Sequence, residues 1–165
     1  MKAATKLYKT ALGLALRDRR KDRPLIASLL KEATALRHPE ATHALATWYL
    51  FGKGVPRNYR KGLELEIRAA RQGVAEAAWN VAISYERGKG TKRNPAEALR
   101  YYKRAVRLGD DESLYEVGRC YFYGIGVRQN RRTAERWYSR ARRAGVEEAT
   151  TALGRRKIPL SRNRQ

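Results

Sequence analysis

A spacing of 36 residues recurs along most of the chain and limits the folds open to it. A glutamate followed by a small residue stands at Glu40, Glu76, Glu112 and Glu148. The same spacing relates Tyr49, Tyr85 and Tyr121, then Gly52, Gly88 and Gly124, then Gly54, Gly90 and Gly126, then Asn58, Asn94 and Asn130, and lastly Gly73, Gly109 and Gly145. Because chance does not produce so many coincident positions, the chain is predicted to be an array of repeated units.

Each unit is predicted to contain two helices. In the second unit, Val81 and Tyr85 lie on one face at helical spacing. The helix is expected to end at Gly88, because glycine adopts a positive φ without a Cβ penalty. Asn94 is suited to cap a second helix, and Gly109 is suited to end it. The sequence therefore predicts an all-α solenoid of stacked antiparallel helix pairs, with about nine helices.

The array is predicted to be a single domain over residues 1–156. Its first part, 4–38, reads as a divergent capping pair in which Leu12-Gly13 takes the place of Leu45-Ala46 at a shorter spacing. Such divergence is typical of terminal repeats. Three repeats, a terminal helix and an irregular basic tail are predicted at 40–75, 76–111, 112–147, 148–156 and 157–165.

The third unit resembles a known repeat most clearly. Its sequence from Ser113 to Gly145, "SLYEVGRCYFYGIGVRQNRRTAERWYSRARRAG", is similar to the Sel1-like repeat, a relative of the tetratricopeptide repeat. The resemblance spans about 40–155. It implies a right-handed α-superhelix and a non-enzymatic scaffold that binds other proteins. The first unit departs from the pattern, with Leu65-Glu66 where the family has Trp-Tyr.

Composition adds a strong positive charge. Lys and Arg number 37 against 16 Asp and Glu, a net charge of +21, which favours polyanionic or acidic partners. No apolar run approaches the roughly 20 residues of a membrane span. Lys9 interrupts the short apolar patch near the N-terminus, so this segment reads as an amphipathic helix rather than a signal peptide. The expected location is the cytoplasm.

Few residues suggest chemistry. Cys120 is the single cysteine, so neither a disulfide framework nor a cysteine zinc cluster can form. It reads as a small packing residue, and His38 and His43 read as an interhelix and a surface position. No catalytic constellation is found. We therefore expect no enzymatic activity, no cofactor and no bound metal.

The resemblance implies that first helices line a concave groove and that second helices lie outside. If Leu45, Ala46 and Tyr49 face the core, the opposite positions face the groove, which is expected to be aromatic and near neutral. The predicted partner-binding residues are His43, Thr47, Leu50, Phe51, Trp79, Ile83, Arg87, Tyr115, Arg119, Phe122 and Tyr123. Exposed aromatic side chains on a rigid wall are typical anchors for a protein partner.

Loops and second helices carry most of the cations. The predicted basic surface comprises Lys89, Lys92, Arg93, Arg100, Lys103, Arg104, Arg128, Arg131, Arg132, Arg136 and Arg140. One interpretation is an adaptor whose groove and basic surface bind an acidic protein, such as a regulator, an effector or a toxin. The alternative is a nucleic-acid-binding protein whose basic face contacts phosphates. The sequence leaves both open, and attachment to anionic lipid would use the same face.

Overall fold

A computed structural model of the protein describes residues 2–17 and 19–149. They contain no β-strand, and they form eight α-helices and a short 3-10 helix at Arg20–Asp22. The α-helices are α1 Lys2–Ala15, α2 Arg23–Ala35, α3 Pro39–Phe51, α4 Tyr59–Arg71, α5 Ala75–Arg87, α6 Pro95–Arg107, α7 Glu112–Tyr123 and α8 Arg131–Arg143. The predicted all-α solenoid of helix pairs is confirmed. The predicted tail 157–165 lies outside the described residues, as do all but the first two residues of the predicted helix 148–156.

Local signals set the helix ends. The three repeated asparagines each accept a hydrogen bond from a backbone N–H three residues ahead, at the start of α4, α6 and α8. The first glycine of each G-x-G follows a first helix in the left-handed conformation. These glycines are Gly52, Gly88 and Gly124, with φ of 70°, 72° and 72°. Both predictions from the sequence are therefore confirmed at every unit.

The second glycine of each G-x-G packs against the preceding unit. A Cβ on Gly54 would lie 2.8 Å from the carbonyl oxygen of Arg23, and one on Gly90 would lie 2.5 Å from that of Tyr59. Arg23 and Tyr59 are the first residues of α2 and α4, one repeat apart. Glycine is required here because the loop of one unit touches backbone at the start of the previous second helix.

Consecutive second helices are joined by arginines. Arg68 Nη2 donates to the carbonyl oxygen of Thr34 at 2.8 Å, and Arg104 Nη2 donates to that of Ala70 at 2.9 Å. Both acceptors lie in the last turn of the preceding second helix, where carbonyls lack helical partners and a cation is favoured. The second helices therefore form one layer of the solenoid.

First helices form the other layer. His43 Nε2 of α3 lies 3.4 Å from Glu76 Oε2 of α5, and Arg119 of α7 pairs with Glu86 of α5 at 2.7 Å. Between the layers lies a core rich in alanine, with the larger side chain of Tyr102 fully buried. Small residues let the two layers approach closely.

The N-terminal pair differs from its predicted alignment. Leu12 is 46% exposed, and nothing lies within 4 Å of a Cβ added to Gly13. The buried residues of α1 are instead Ala4 and Ala11. The predicted equivalence of Leu12-Gly13 with a buried Leu-Ala pair is therefore wrong. The reason is that α1 contacts α2 through its alanine face and turns Leu12 towards solvent.

Replacing Arg37 by glycine is expected to stabilise the protein by about 0.5–1 kcal/mol. Arg37 has a φ of 62°, a conformation that side chains disfavour, and it lies one repeat before Gly73. Its contacts with Thr34 and Gln72 use backbone atoms, which glycine keeps. Urea unfolding followed by circular dichroism measures the change. Leu36→Gly, at the adjacent negative φ of −79°, is the control and should destabilise. An Arg37→Gly variant that is no more stable than wild type would contradict this account.

Candidate functional site

The predicted groove residues lie on one side of α3, α5 and α7, called here the first-helix face. Three of them are exposed and the others are half-buried. The exposed three are Phe51, Arg87 and Tyr123, with Phe51 at 69% and Tyr123 at 66% exposure. The half-buried set is His43, Thr47, Leu50, Trp79, Ile83, Tyr115, Arg119 and Phe122.

A cavity of about 350 Å³ opens on this face beside Trp79 and Tyr115. The two rings occupy the same place in consecutive units, on α5 and α7. Carboxylates line the rest of the cavity, and they belong to Glu76, Asp110, Glu112, Glu116 and Glu148. This end of the face is therefore acidic, whereas the sequence predicted a near-neutral groove.

The acidic character follows from the repeat. Glu76 and Glu112 lie in the first turn of α5 and α7, where a carboxylate interacts favourably with the helix dipole. Stacking brings these first turns side by side, so charges that stabilise separate helices share one cavity. Asp110 also has a local role, since its Oδ2 accepts a hydrogen bond from the Ser113 N–H at 2.9 Å. The sequence shows where each glutamate lies within its own unit, but only the stacking of the units brings their carboxylates into one cavity.

An ion pair crosses the face between α5 and α7. Arg119 Nη2 lies 2.8 and 2.7 Å from the two carboxylate oxygens of Glu86, and its Nε donates to Glu116 Oε2 at 2.6 Å. Tyr102 Oη also donates to Glu86 at 2.8 Å. Burial raises the pKa of Glu86, but the hydrogen bonds from Arg119 and Tyr102 outweigh it and hold that pKa below its ordinary value. Arg119, predicted as a groove residue, thus links two helices, and its charge is compensated within the face.

A second polar cluster lies one unit earlier. Glu66 of α4 is fully buried, and its two oxygens accept from His43 Nδ1 at 2.9 Å and Asn80 Nδ2 at 2.9 Å. Burial raises the pKa of Glu66, and these hydrogen bonds only partly offset it. Burial lowers the pKa of His43, but its interactions with Glu66 and Glu76 raise it above the ordinary value. His43 is therefore half-buried and paired, not the surface position that the sequence suggested.

Position 66 explains why this cluster was missed. One and two repeats later the same place holds Tyr102 and Tyr138, which bury aromatic rings against the first helices. Glu66 puts a carboxylate there instead, and His43 stands where the next unit has Trp79. The indication in the sequence was the departure from the family pattern at Leu65-Glu66. The partners of Glu66 lie too far away along the chain to be identified from the sequence.

The remaining candidate groups have structural surroundings. Cys120 is buried, and burial raises the pKa of its thiol to about 12, so a reactive thiolate is disfavoured at neutral pH. His38 Nδ1 accepts from the Ala41 N–H at 3.3 Å and caps α3. Among the described residues, no group of His, Cys, Asp or Glu side chains is arranged to hold a metal ion. No helix in the same ranges is long and apolar enough to cross a membrane.

The predicted basic residues divide into exposed and half-buried sets. Lys103 and Arg104 are half-buried: Lys103 Nζ donates to Tyr121 Oη at 2.9 Å, and Arg104 joins α6 to α4 as described above. The exposed set is Lys89, Lys92, Arg93, Arg100, Arg128, Arg131, Arg132, Arg136 and Arg140. Some of the exposed cations also have partners, as Arg100 pairs with Glu97 and Arg140 lies over the Trp137 ring.

Comparison with solved structures shows the same architecture elsewhere. A protective antigen of uropathogenic Escherichia coli, described as displaying an SLR fold, matches with a TM-score of 0.85, 26% identity and coverage of 92% of this chain and 32% of that protein. A Sel1 repeat protein from Oxalobacter formigenes matches with a TM-score of 0.84, 24% identity and coverage of 92% and 62%. An immunity protein from Pseudomonas aeruginosa matches with a TM-score of 0.56, 25% identity and coverage of 92% and 56%. The chain thus spans about a third of the first and less than two thirds of the others.

Comparison of the sequence with protein families also identifies a repeat architecture. No curated protein matches the chain at a significant level. The Sel1 repeat model matches three consecutive segments, 39–74, 75–110 and 111–146, which together make up more than half of the chain. The three segments carry the helix pairs α3–α4, α5–α6 and α7–α8. The chain therefore belongs to the Sel1 repeat family.

Proposed function

We propose that this protein is a scaffold that binds a partner protein on its first-helix face. Sel1 repeat proteins are generally non-enzymatic scaffolds for protein–protein interaction, which supports the general assignment. The observation that carries the specific proposal is the cavity of about 350 Å³ beside Trp79 and Tyr115. It offers a half-open concave site with two aromatic rings in its wall, on the first-helix face of the solenoid.

Exposed aromatic residues extend the proposed site along the face. Phe51 and Tyr123 stand at the ends of α3 and α7, and both are more than half exposed. Large exposed rings are typical of binding anchors, because burying them against a partner removes much apolar surface from water. The partner would therefore contact both the cavity and the two outer rings.

Charge suggests how a partner is oriented. The excess of Lys and Arg lies on loops and second helices, so an acidic region of the partner would face that side. The carboxylates around Trp79 and Tyr115 would instead receive a basic side chain from the partner. A regulator, an effector or a toxin could supply such a surface. The immunity protein among the similar structures is consistent with a protein partner.

Removing the aromatic anchors is expected to weaken binding of the partner strongly. Wild type, a Trp79→Ala, Tyr115→Ala variant and a Tyr123→Ala variant would each be used for affinity capture, followed by titration of the purified partner. Anchor residues contribute about 2 kcal/mol or more each, so we expect binding at least about 30-fold weaker. Tyr59→Ala is the matched control, since Tyr59 is an exposed ring at the start of α4. Tyr123→Ala removes an exposed side chain and leaves the core intact. Equal affinity of the three proteins for the same partner would reject the proposal.

A further inference from the structure

The second-helix face, formed by the exposed side chains of α4, α6 and α8, carries cations with almost no acidic counterpart. Glu64 is the one exposed carboxylate on these three helices, and it pairs with Arg60 at 3.4 Å, while Glu97 and Glu135 are half-buried. Lys61, Arg100, Arg131 and Arg140 are also occupied, by an aromatic ring or by Glu97. What remains on this face is a set of exposed arginines whose guanidinium groups have no hydrogen bond, ion pair or ring contact within residues 2–17 and 19–149. They are Arg71, Arg107, Arg132, Arg136, Arg142 and Arg143.

Five of these arginines, called here the arginine patch, lie in a row across the three helices or in a stripe along α8: Arg71, Arg107, Arg132, Arg136 and Arg143. Arg71, Arg107 and Arg143 occupy the same place in three consecutive units, at the ends of α4, α6 and α8. Arg104 of α6 reaches the Ala70 carbonyl oxygen of α4 at 2.9 Å, so consecutive second helices are neighbours and the row crosses roughly 20 Å of the layer. Arg132, Arg136 and Arg143 lie on one stripe of α8, which extends about 16 Å along the helix.

We propose that the arginine patch binds the phosphate backbone of double-stranded nucleic acid. The guanidinium fork matches phosphate oxygens with paired hydrogen bonds, and all five residues are arginine. A row across three helices and a stripe along one helix place the charges over an area of about 20 by 16 Å, which spans several phosphates. Because the solenoid fixes the spacing between the helices, the backbone that carries these arginines loses little conformational freedom on binding.

The surroundings of the patch favour a duplex over other polyanions. Single-strand binding relies on aromatic side chains that stack on bases. The exposed rings of the described chain are Phe51, Tyr59 and Tyr123, and only Tyr59 belongs to a second helix, at the end of α4 opposite Arg71. The patch has no apolar centre of its own, so an acidic protein would contact it only as the polar rim of an interface that is centred elsewhere, such as the first-helix face. Contact through phosphates alone predicts binding that does not depend on base sequence.

Salt dependence of duplex binding tests the proposal. A fluorescein-labelled 20-base-pair DNA duplex would be titrated with the full chain, followed by anisotropy between 50 and 200 mM NaCl. Five phosphate contacts predict a slope of log affinity against log salt near −4.5, which is about a 500-fold loss over this range. The variant Arg107→Gln, Arg136→Gln, Arg143→Gln keeps two of the five contacts. Its slope should therefore be near −1.8, which is about a 12-fold loss of affinity over the same range.

A matched variant separates the patch from net charge. Lys2→Gln, Lys6→Gln, Lys9→Gln removes the same number of exposed cations from α1 and should keep the slope near −4.5. The proposal is overturned if the duplex does not bind at 50 mM salt, if the two triple variants lose affinity equally, or if single-stranded DNA or polyglutamate binds as tightly as the duplex. The Trp79→Ala, Tyr115→Ala variant should bind the duplex normally, so the result is independent of the proposed partner site.

Discussion

Replacing Gly90 by alanine is expected to destabilise the protein by about 2–5 kcal/mol. Gly90 has a φ of 75°, which costs an alanine about 1–2 kcal/mol. The added Cβ would also lie 2.5 Å from the Tyr59 oxygen and 2.7 Å from the Tyr59 carbonyl carbon. Both are backbone atoms at the start of α4, so the clash can be relieved only by moving one unit away from the next. Such overpacking costs about a further 1–3 kcal/mol.

Gly88 provides a control in the same loop. Its φ of 72° is nearly the same, but an added Cβ would lie 3.3 Å from its nearest neighbour, the Arg93 nitrogen. Gly88→Ala should therefore lose about 1–2 kcal/mol of folding stability, because it has the conformational cost but little of the steric clash. Urea unfolding followed by far-UV circular dichroism measures both variants. Equal losses of stability would show that contact between units does not require the second glycine.

Truncating His43 to alanine is expected to cost about 3 kcal/mol of folding stability, because the buried Glu66 would lose the imidazole that lies 2.9 Å from its carboxylate. Glu66 is fully buried, and among the described residues only Asn80 would still donate to it. A carboxylate that is left buried without a counter-charge is more costly than the pair itself. The same unfolding measurement gives the free energy of unfolding for wild type and variant.

A double variant tests whether the buried charge is the cause. His43→Trp with Glu66→Tyr reproduces the Trp79 and Tyr102 pair found one repeat later. Well-packed apolar replacement of a buried ion pair is often neutral or stabilising, so the double variant should recover most of the loss. If His43→Ala is as stable as wild type, Glu66 does not depend on His43. If the double variant is no more stable than His43→Ala, the loss comes from packing rather than charge.

Helix ends were predictable because their signals act over a few residues. Asn94 caps α6 because its side-chain oxygen accepts a hydrogen bond from the backbone N–H of Glu97, three residues ahead. Gly88 ends α5 through its own backbone conformation. Neither needs a distant partner, so a repeated local pattern was enough to give the helix pairs and, through the 36-residue period, the stacked solenoid.

The site was less predictable, for the opposite reason. Whether Trp79 is open or covered depends on how α5 and α7 lie together, and the structure makes it the half-buried wall of a cavity. Arg119 gave no sign in the sequence of pairing with Glu86, which is 33 residues earlier. The predicted near-neutral groove was wrong at this end, because carboxylates from successive units meet only after stacking. Its role as a binding face stays a prediction.

By itself, then, the sequence determined an all-α array of 36-residue helix pairs, where the helices of the three repeats end, and an excess of positive charge on the second helices and loops. Those features follow from backbone conformation, capping and composition, which are local. Only the tertiary structure decided that Gly90 touches Tyr59, that Glu66 is buried against His43, and that Trp79 shares a cavity with five carboxylates. Each of those contacts joins residues from different helices or loops, and the stacking geometry alone brings them within reach of one another.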